Sequence, residues 1–205
     1  MASATTSVAA VLTGLSGSDF LSSADTTAQQ TAALLQLATQ LKRGERRIDL
    51  GNRVLGLIFT KASTRTRVSF QVAMARLGGQ TVDLNPQLTQ LGRGEPLEDT
   101  ARVLSRFCDV LAIRTFAQQE LADYAHWASI PVINALTDLE HPCQALADVL
   151  TMQGAVGDLQ GQPLAYVGDG DNVALSLLLC GALLGVTVLI GGPEGFEPLP
   201  GVVDQ

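Results

Sequence analysis

Three groups of residues in this chain have the types and spacing to do chemistry. The first is Ser63-Thr64-Arg65-Thr66-Arg67, three hydroxyls interleaved with two guanidinium groups, placed just after the apolar run Val54-Leu55-Gly56-Leu57-Ile58-Phe59. The run reads as a buried parallel strand. Beyond it, Val68, Val72, Ala73, Ala75 and Leu77 recur at helical spacing, and Gly78-Gly79 supply a stop. The polar residues therefore fall where a strand ends and a helix begins, which is where an α/β sheet presents its ligands. A helix start carries unpaired N–H groups and the positive end of a dipole, so it favours an anion. Arg65 and Arg67 add forked cations that fit phosphate oxygens in pairs. The group reads as a phosphate cradle. It also fits a plainer role, with Ser63 or Thr64 as a helix cap and two arginines on a solvated face.

The second group is His141-Pro142-Cys143-Gln144, with Arg114 upstream of it. Arg114 ends the apolar strand expected over 109–114, and a core position would bury its charge at high cost, so it is either a ligand group or an arginine that has reached solvent at the rim. Pro142 fits the first turn of a helix running on through Ala145, Leu146, Val149 and Leu150. His141 and Gln144 then stand at a helix start beside the end of the strand expected over 130–135. Cys143 reads as a small packed residue, since no base is spaced to activate it. The third group is Gly168-Asp169-Gly170-Asp171-Asn172, between a strand over 163–167 and a helix over 173–184. Two aspartates and no third glycine make a poor pyrophosphate site; carboxylates there repel phosphate and attract an amine.

The elements that must hold these groups alternate between strand and helix, which makes the fold class α/β. A first helix is expected over 25–41, with Asp25 or Thr26 as cap and Ala33, Leu34, Leu37 and Leu41 on one face. Residues 42–47 form a charged exit. Further strands are expected over 80–84 and 186–190, and further helices over 98–107 and 118–128. The glycines and prolines of 85–96 exclude regular structure, and a loop of that length is often functional. Residues 1–18 read as a loose N-terminus, and Gly154, Gly157 and Gly161 suggest a domain boundary. The expected division is 1–18, a first domain over 19–153, and a second over 154–205 with room for only two strands.

The chain has 205 residues, 46% of them hydrophobic, and a net charge of −7. An acidic chain with 4% aromatics is a poor nucleic-acid surface, so any anion must be held by a local basic site. Three cysteines, an odd number without metal-ligand spacing, argue against a disulfide framework and suggest a reducing compartment; the expected location is cytoplasmic. The uncharged stretch 173–190 approaches a membrane span in length, but Gly181, Gly185 and a β-branched end make a buried helix, a turn and a strand the better reading. No membrane partner is expected.

Taken together in order, these motifs resemble the aspartate/ornithine carbamoyltransferase family. The residues that carry the likeness are 59–67, Gln90-Leu91-Gly92, 99–105, Ile113-Arg114, 141–148 and 168–172. Lys61 before Ala62, and the Cys in His-Pro-Cys-Gln, resemble the ornithine-specific branch. The resemblance implies a doubly wound parallel sheet with helices on both faces, plus the start of a second α/β domain. It implies that Ser63, Thr64, Arg65 and Thr66 hold the phosphate of carbamoyl phosphate. Arg114, His141 and Gln144 would hold its carbamoyl end, with Arg114 and His141 as the catalytic donors. Gln90 would sit on a loop reaching a neighbouring subunit's site in a homotrimer, and Asn172 would contact ornithine. It implies no metal and no cofactor, because the leaving phosphate already lies in an anion cradle. The product would be citrulline, which belongs to arginine biosynthesis. Asp171 and Thr60 depart from the residues usual in the family, an Asn and a Glu. The resemblance also implies a second domain longer by roughly a hundred residues, of domain-like size. The 205 residues are therefore expected to be a whole carbamoyl-phosphate domain and a stub. Two other readings stand beside this one: a non-catalytic carbamoyl-phosphate-binding module, and a transferase for aspartate, putrescine or acetylornithine.

Overall fold

The structure is a computed structural model that describes residues 7–203. Four strands, β1 (Val54–Phe59), β2 (Gln80–Leu84), β3 (Val110–Arg114) and β4 (Val132–Leu136), form a parallel sheet in the order β2-β1-β3-β4. From β1 the chain winds out to β2, then returns to the other side of β1 for β3 and β4. The winding direction thus reverses between β1 and β3, as expected of a doubly wound sheet.

Burial explains why β1 is a continuous apolar run. Leu55, Leu57 and Phe59 pack on one face with Met74, Ala112 and Ala135. Ile58 points to the other face, among Ala101, Leu111, Ile113, Leu121, Tyr124 and Val132. Both faces of a central parallel strand are covered, so alternation disappears. Helix α3 (Arg65–Arg76) supplies Met74 to the first face; α4 (Leu97–Leu104) and α5 (Gln118–Trp127) supply Ala101, Leu121 and Tyr124 to the second.

A second sheet holds β5 (Pro163–Val167) and β6 (Thr187–Gly191), paired in parallel and joined through α7 (Asn172–Leu183). Helices α2 (Ala28–Lys42), α6 (Pro142–Val156) and α7 meet in a third cluster, through Leu35, Ala145, Val149, Leu177 and Cys180. The N-terminal side also ties into the first sheet. Phe20 donates to the Val132 carbonyl and accepts from the Asn134 N–H, both at 2.8 Å, along the free edge of β4.

Several local expectations need correcting. Helix α2 begins at Ala28, not at 25. Thr27 is its cap, and the Gln30 side chain returns to the Thr27 N–H at 2.9 Å. Asp25 instead closes a short turn, accepting from the Leu21 and Ser22 N–H groups at 2.7 and 2.8 Å. The buried face of α2 is Thr31, Ala33 and Leu35, with Thr31 tolerated there because its hydroxyl meets Thr26 Oγ1 at 2.8 Å. On α3 the apolar spacing identified the wrong face: Val68 and Val72 are 49% and 41% exposed, and Met74 does the packing. Residues 85–96 are not without regular structure, for they form two short 3₁₀ turns, Pro86–Leu88 and Gln90–Arg93. Pro86 suits the first position of such a turn, where no N–H is needed. Of the stretch expected to be loose, Val8–Thr13 is helical (α1), started by Ser7, whose hydroxyl accepts from Ala10; residues 1–6 lie outside the described residues. Gly154 lies inside α6, and the turn out of that helix falls at Gly157, φ +85°.

Candidate active site

A cavity of about 530 Å³ opens at the carboxyl ends of β1, β3 and β4. It stands at the point where the winding reverses, the general ligand crevice of open α/β sheets. The starts of α3 and α6 border it, and Val173 in the first turn of α7 lines it as well.

The wall supplied by α3 is made of Ser63, Thr64, Arg65 and Thr66. Thr64 occupies the cap position of α3, yet no side-chain cap bond forms there. The side chains of these four residues have no hydrogen-bond partner among the described residues. Hydroxyls at a helix start that leave their own helix uncapped remain free for an anion, and the backbone N–H groups beside them point the same way. Arg67 does not join them. It pairs with Asp83 of β2 and lies over the Phe59 ring, 4.9 Å from its centroid. One arginine of the motif therefore faces the cavity and the other braces β2 against α3.

The end of β3 and the start of α6 add Arg114 and His141 to the lining. The pairing of β3 with β4 slips between Ile113 and Arg114, so the arginine leaves the regular register at the strand end. Thr60 holds it from behind, donating from its N–H (2.9 Å) and its hydroxyl (3.1 Å) to the Arg114 carbonyl. Arg114 Nε is buried without a partner. Burial, and then the charge of Arg65, lower the Arg114 pKa; a guanidinium starting so high stays charged at neutral pH. His141 is 7% exposed and its Nδ1 is also buried without a partner. Burial, followed by the Arg114 charge, brings its pKa down to about 4. At pH 7 it is a neutral imidazole, with one N–H to donate.

A network locks the turn that presents His141. The Thr137 N–H donates to the Glu140 carbonyl at 2.8 Å, and the Glu140 N–H donates to Thr137 Oγ1 at 3.1 Å. The buried Glu140 carboxylate accepts from the Ser23 N–H at 3.0 Å. The His141 N–H donates to Ser176 Oγ at 2.7 Å, and Asn172 Nδ2 donates to the Thr137 carbonyl at 2.6 Å. Helix α7 of the second sheet thus helps to set the histidine of the first. Lys61 bridges to the same turn, with Nζ 2.5 Å from Asp138 Oδ1.

Of the nine residues singled out by sequence, seven line this cavity: Ser63, Thr64, Arg65, Thr66, Arg114, His141 and Gln144. Gln90 does not; it is exposed on a 3₁₀ turn. Asn172 stands next to Val173, with its amide nitrogen engaged by Thr137. Asp148 lines the cavity and was not singled out. Its spacing offered a signal: it lies four residues after Gln144 and seven after His141, on one helical face. Cys143 is packed as expected, its Sγ 3.4 Å from the Asn134 carbonyl, and burial raises its pKa to about 12. Among the described residues no cluster of His, Cys, Asp and Glu has the arrangement of a metal site.

Residues 18–154 match the carbamoyl-phosphate-binding domain of aspartate/ornithine carbamoyltransferase. The chain belongs to that family. It is 79% identical over 205 residues to an ornithine carbamoyltransferase of Parasynechococcus marenigrum, covering all of this chain and 64% of the relative. It is 82% identical over 198 residues to one of Prochlorococcus marinus, covering 97% of this chain and 62% of that protein. The crystal structure of ornithine carbamoyltransferase from Gloeobacter violaceus superposes with a TM-score of 0.85 at 59% identity, over 91% of this chain and 62% of the other. The chain therefore spans less than two thirds of the length of these family members.

Proposed function

We propose that the cavity between α3 and α6 binds carbamoyl phosphate and supports transfer of its carbamoyl group to the side-chain amine of ornithine, giving citrulline and phosphate. The observation that carries this is the uncommitted state of Ser63, Thr64, Arg65 and Thr66, which line one cavity together with Arg114 and His141. The first set suits a dianionic phosphate. The second suits the carbonyl oxygen, which gains negative charge as a neutral amine attacks the carbonyl carbon. Arg114 and the neutral His141 donate to that oxygen, in a site where burial strengthens the interaction. The C–N bond forms, the C–O bond to phosphate breaks, and the departing phosphate is already held. As the bond from the ornithine nitrogen to the carbamoyl carbon is completed, the amine loses a proton, which the departing phosphate takes up. Gln144 lies beside the carbamoyl end.

Ornithine is the acceptor favoured by the high identity to proteins named ornithine carbamoyltransferase. Asn172 contributes its free Oδ1 toward the acceptor's ammonium, while the acidic turn around Asp169 and Asp171 favours a cation over an anion. Residues 19–153 form the carbamoyl-phosphate domain and 154–205 the beginning of the acceptor domain. Gln90, exposed on its 3₁₀ turn, reaches the site of a neighbouring copy in a homotrimer. The place of action is the cytoplasm and the pathway arginine biosynthesis. No helix among the described residues is long and apolar enough to cross a membrane.

Calorimetric titration with fresh carbamoyl phosphate, beside a colorimetric citrulline assay, tests the reading. Binding is expected for the 205-residue chain, and it is expected to vanish in Arg65→Ala with the fold intact. A folded wild-type chain that binds neither carbamoyl phosphate nor phosphate would overturn it.

A further inference from the structure

Gln144 Nε2 lies 2.9 Å from Asp148 Oδ1, one helical turn further along α6. A carboxylate only accepts hydrogen bonds, so the group it engages must be the amide NH₂ and not the amide oxygen. The orientation of the Gln144 amide is therefore set by chemistry, and its oxygen is the end left without a partner among the described residues. This matters because the cavity is otherwise rich in donors. Arg65 and Arg114 only donate, and the hydroxyls of Ser63, Thr64 and Thr66 would donate to phosphate. The carbamoyl NH₂ of carbamoyl phosphate also only donates, and it needs an acceptor.

We infer that Asp148 is a positioning residue: it holds the Gln144 amide so that its oxygen accepts from the carbamoyl nitrogen, and so makes the site prefer carbamoyl phosphate over acetyl phosphate. The inference rests on the carbamoyl-phosphate reading above and adds to it the basis of acyl selectivity. Acetyl phosphate presents a methyl group where carbamoyl phosphate presents NH₂. It leaves the fixed amide oxygen without that donor; Gln144 is exposed, so water takes the place and the discrimination is that of one net hydrogen bond. Without Asp148 the amide is free to turn its own NH₂ inward, where it meets the carbamoyl NH₂ donor to donor.

The test is calorimetry with inorganic phosphate, acetyl phosphate and carbamoyl phosphate on the wild-type chain, Asp148→Ala, Asp148→Asn, Gln144→Ala and the Asp148→Ala/Gln144→Ala double variant. The expected result is that Asp148→Ala binds inorganic phosphate no more weakly than wild type, while its preference for carbamoyl over acetyl phosphate drops severalfold. Asp148→Asn loses less, because Asn Oδ1 still accepts from the amide but no longer compels its orientation. In the Gln144→Ala background, removing Asp148 has no further effect on the preference. An unchanged preference in Asp148→Ala would overturn the inference, and so would additive losses in the double variant, which would mean direct contact. Failure of wild type to bind inorganic phosphate would instead remove the cradle itself, and this inference with it.

Discussion

Two strand-to-helix turns in this chain share a topology and differ in chemistry. The turn after β1 starts α3 with Thr64 at the cap position and makes no side-chain cap bond. The turn after β5 starts α7 with Asp171, whose carboxylate accepts from the Val173 N–H at 3.1 Å. The first leaves its hydroxyls and an arginine free and turns them to a cavity. The second satisfies its own helix and adds two negative charges. It is also closed from behind: the Gly170 N–H donates to the Phe196 carbonyl at 2.8 Å, and a Cβ on Gly170 would stand 2.4 Å from Pro198 N. A helix dipole favours an anion at both places, but the side chains decide which helix start is open to one. The ligand of an α/β turn is therefore read from what its polar groups are not already doing.

The largest expected effect concerns the open turn. Arg65→Ala should weaken phosphate binding on the order of a thousandfold, since a paired guanidinium makes two charge-assisted bonds. Calorimetry reads it, and Asp171→Ala should leave the same constant within twofold or tighten it. Equal losses in both variants would erase the distinction between the turns.

Next in size is a pH effect. The His141 pKa falls from 6.5 to about 4 on folding. The unfolded chain therefore binds the proton first as pH drops. The neutral, buried imidazole contributes stability fully above pH 6.5, and that stability is lost as pH falls through 4, amounting to about 3 kcal/mol. Urea unfolding of wild type and His141→Asn between pH 7 and 4 measures it. The variant should lack this part of the acid slope, and parallel slopes would contradict the assignment. Bound phosphate should raise the His141 pKa, because an anion stabilises the imidazolium.

The closed turn should show its role in stability. Asp171→Ala removes a helix cap and should cost about 1 kcal/mol in denaturant unfolding. The smallest effect sharpens the comparison most. Thr64→Ala removes no cap bond, so stability should stay within about 0.5 kcal/mol, while phosphate binding weakens severalfold. A stability loss at Thr64 as large as that at Asp171 would restore the simple capping role for that residue.

Much of this was legible from residue order alone. A parallel strand covered on both faces leaves a continuous apolar run, so β1 and the motif after it stood out. Cys143 was recognisable because reactivity needs a base and none was spaced to act. The two-stranded second sheet followed from counting apolar runs. What stayed hidden depended on partners distant in sequence. Arg67 and Arg65 look alike in the sequence, and only Asp83 on β2 decides which of them braces the sheet. Val68 and Val72 mark a helix correctly but not the face it buries, since that depends on where β1 and β3 lie. The depressed His141 pKa needs burial by a turn that Ser23, Thr137 and Ser176 jointly hold. Asp148 was readable by its spacing from Gln144, but its consequence for the amide needed the 2.9 Å contact.

The central claim is that the start of α3 captures phosphate in the cavity that Arg114 and His141 also line. The most direct measurement is a titration of the isotope-labelled chain with inorganic phosphate, following backbone amide and histidine signals by nuclear magnetic resonance. Saturable shifts confined to residues 63–66, Arg114 and His141, with residues 169–172 little changed, are the predicted result. Shifts centred on residues 169–172, or none at millimolar phosphate in a folded sample, would contradict it.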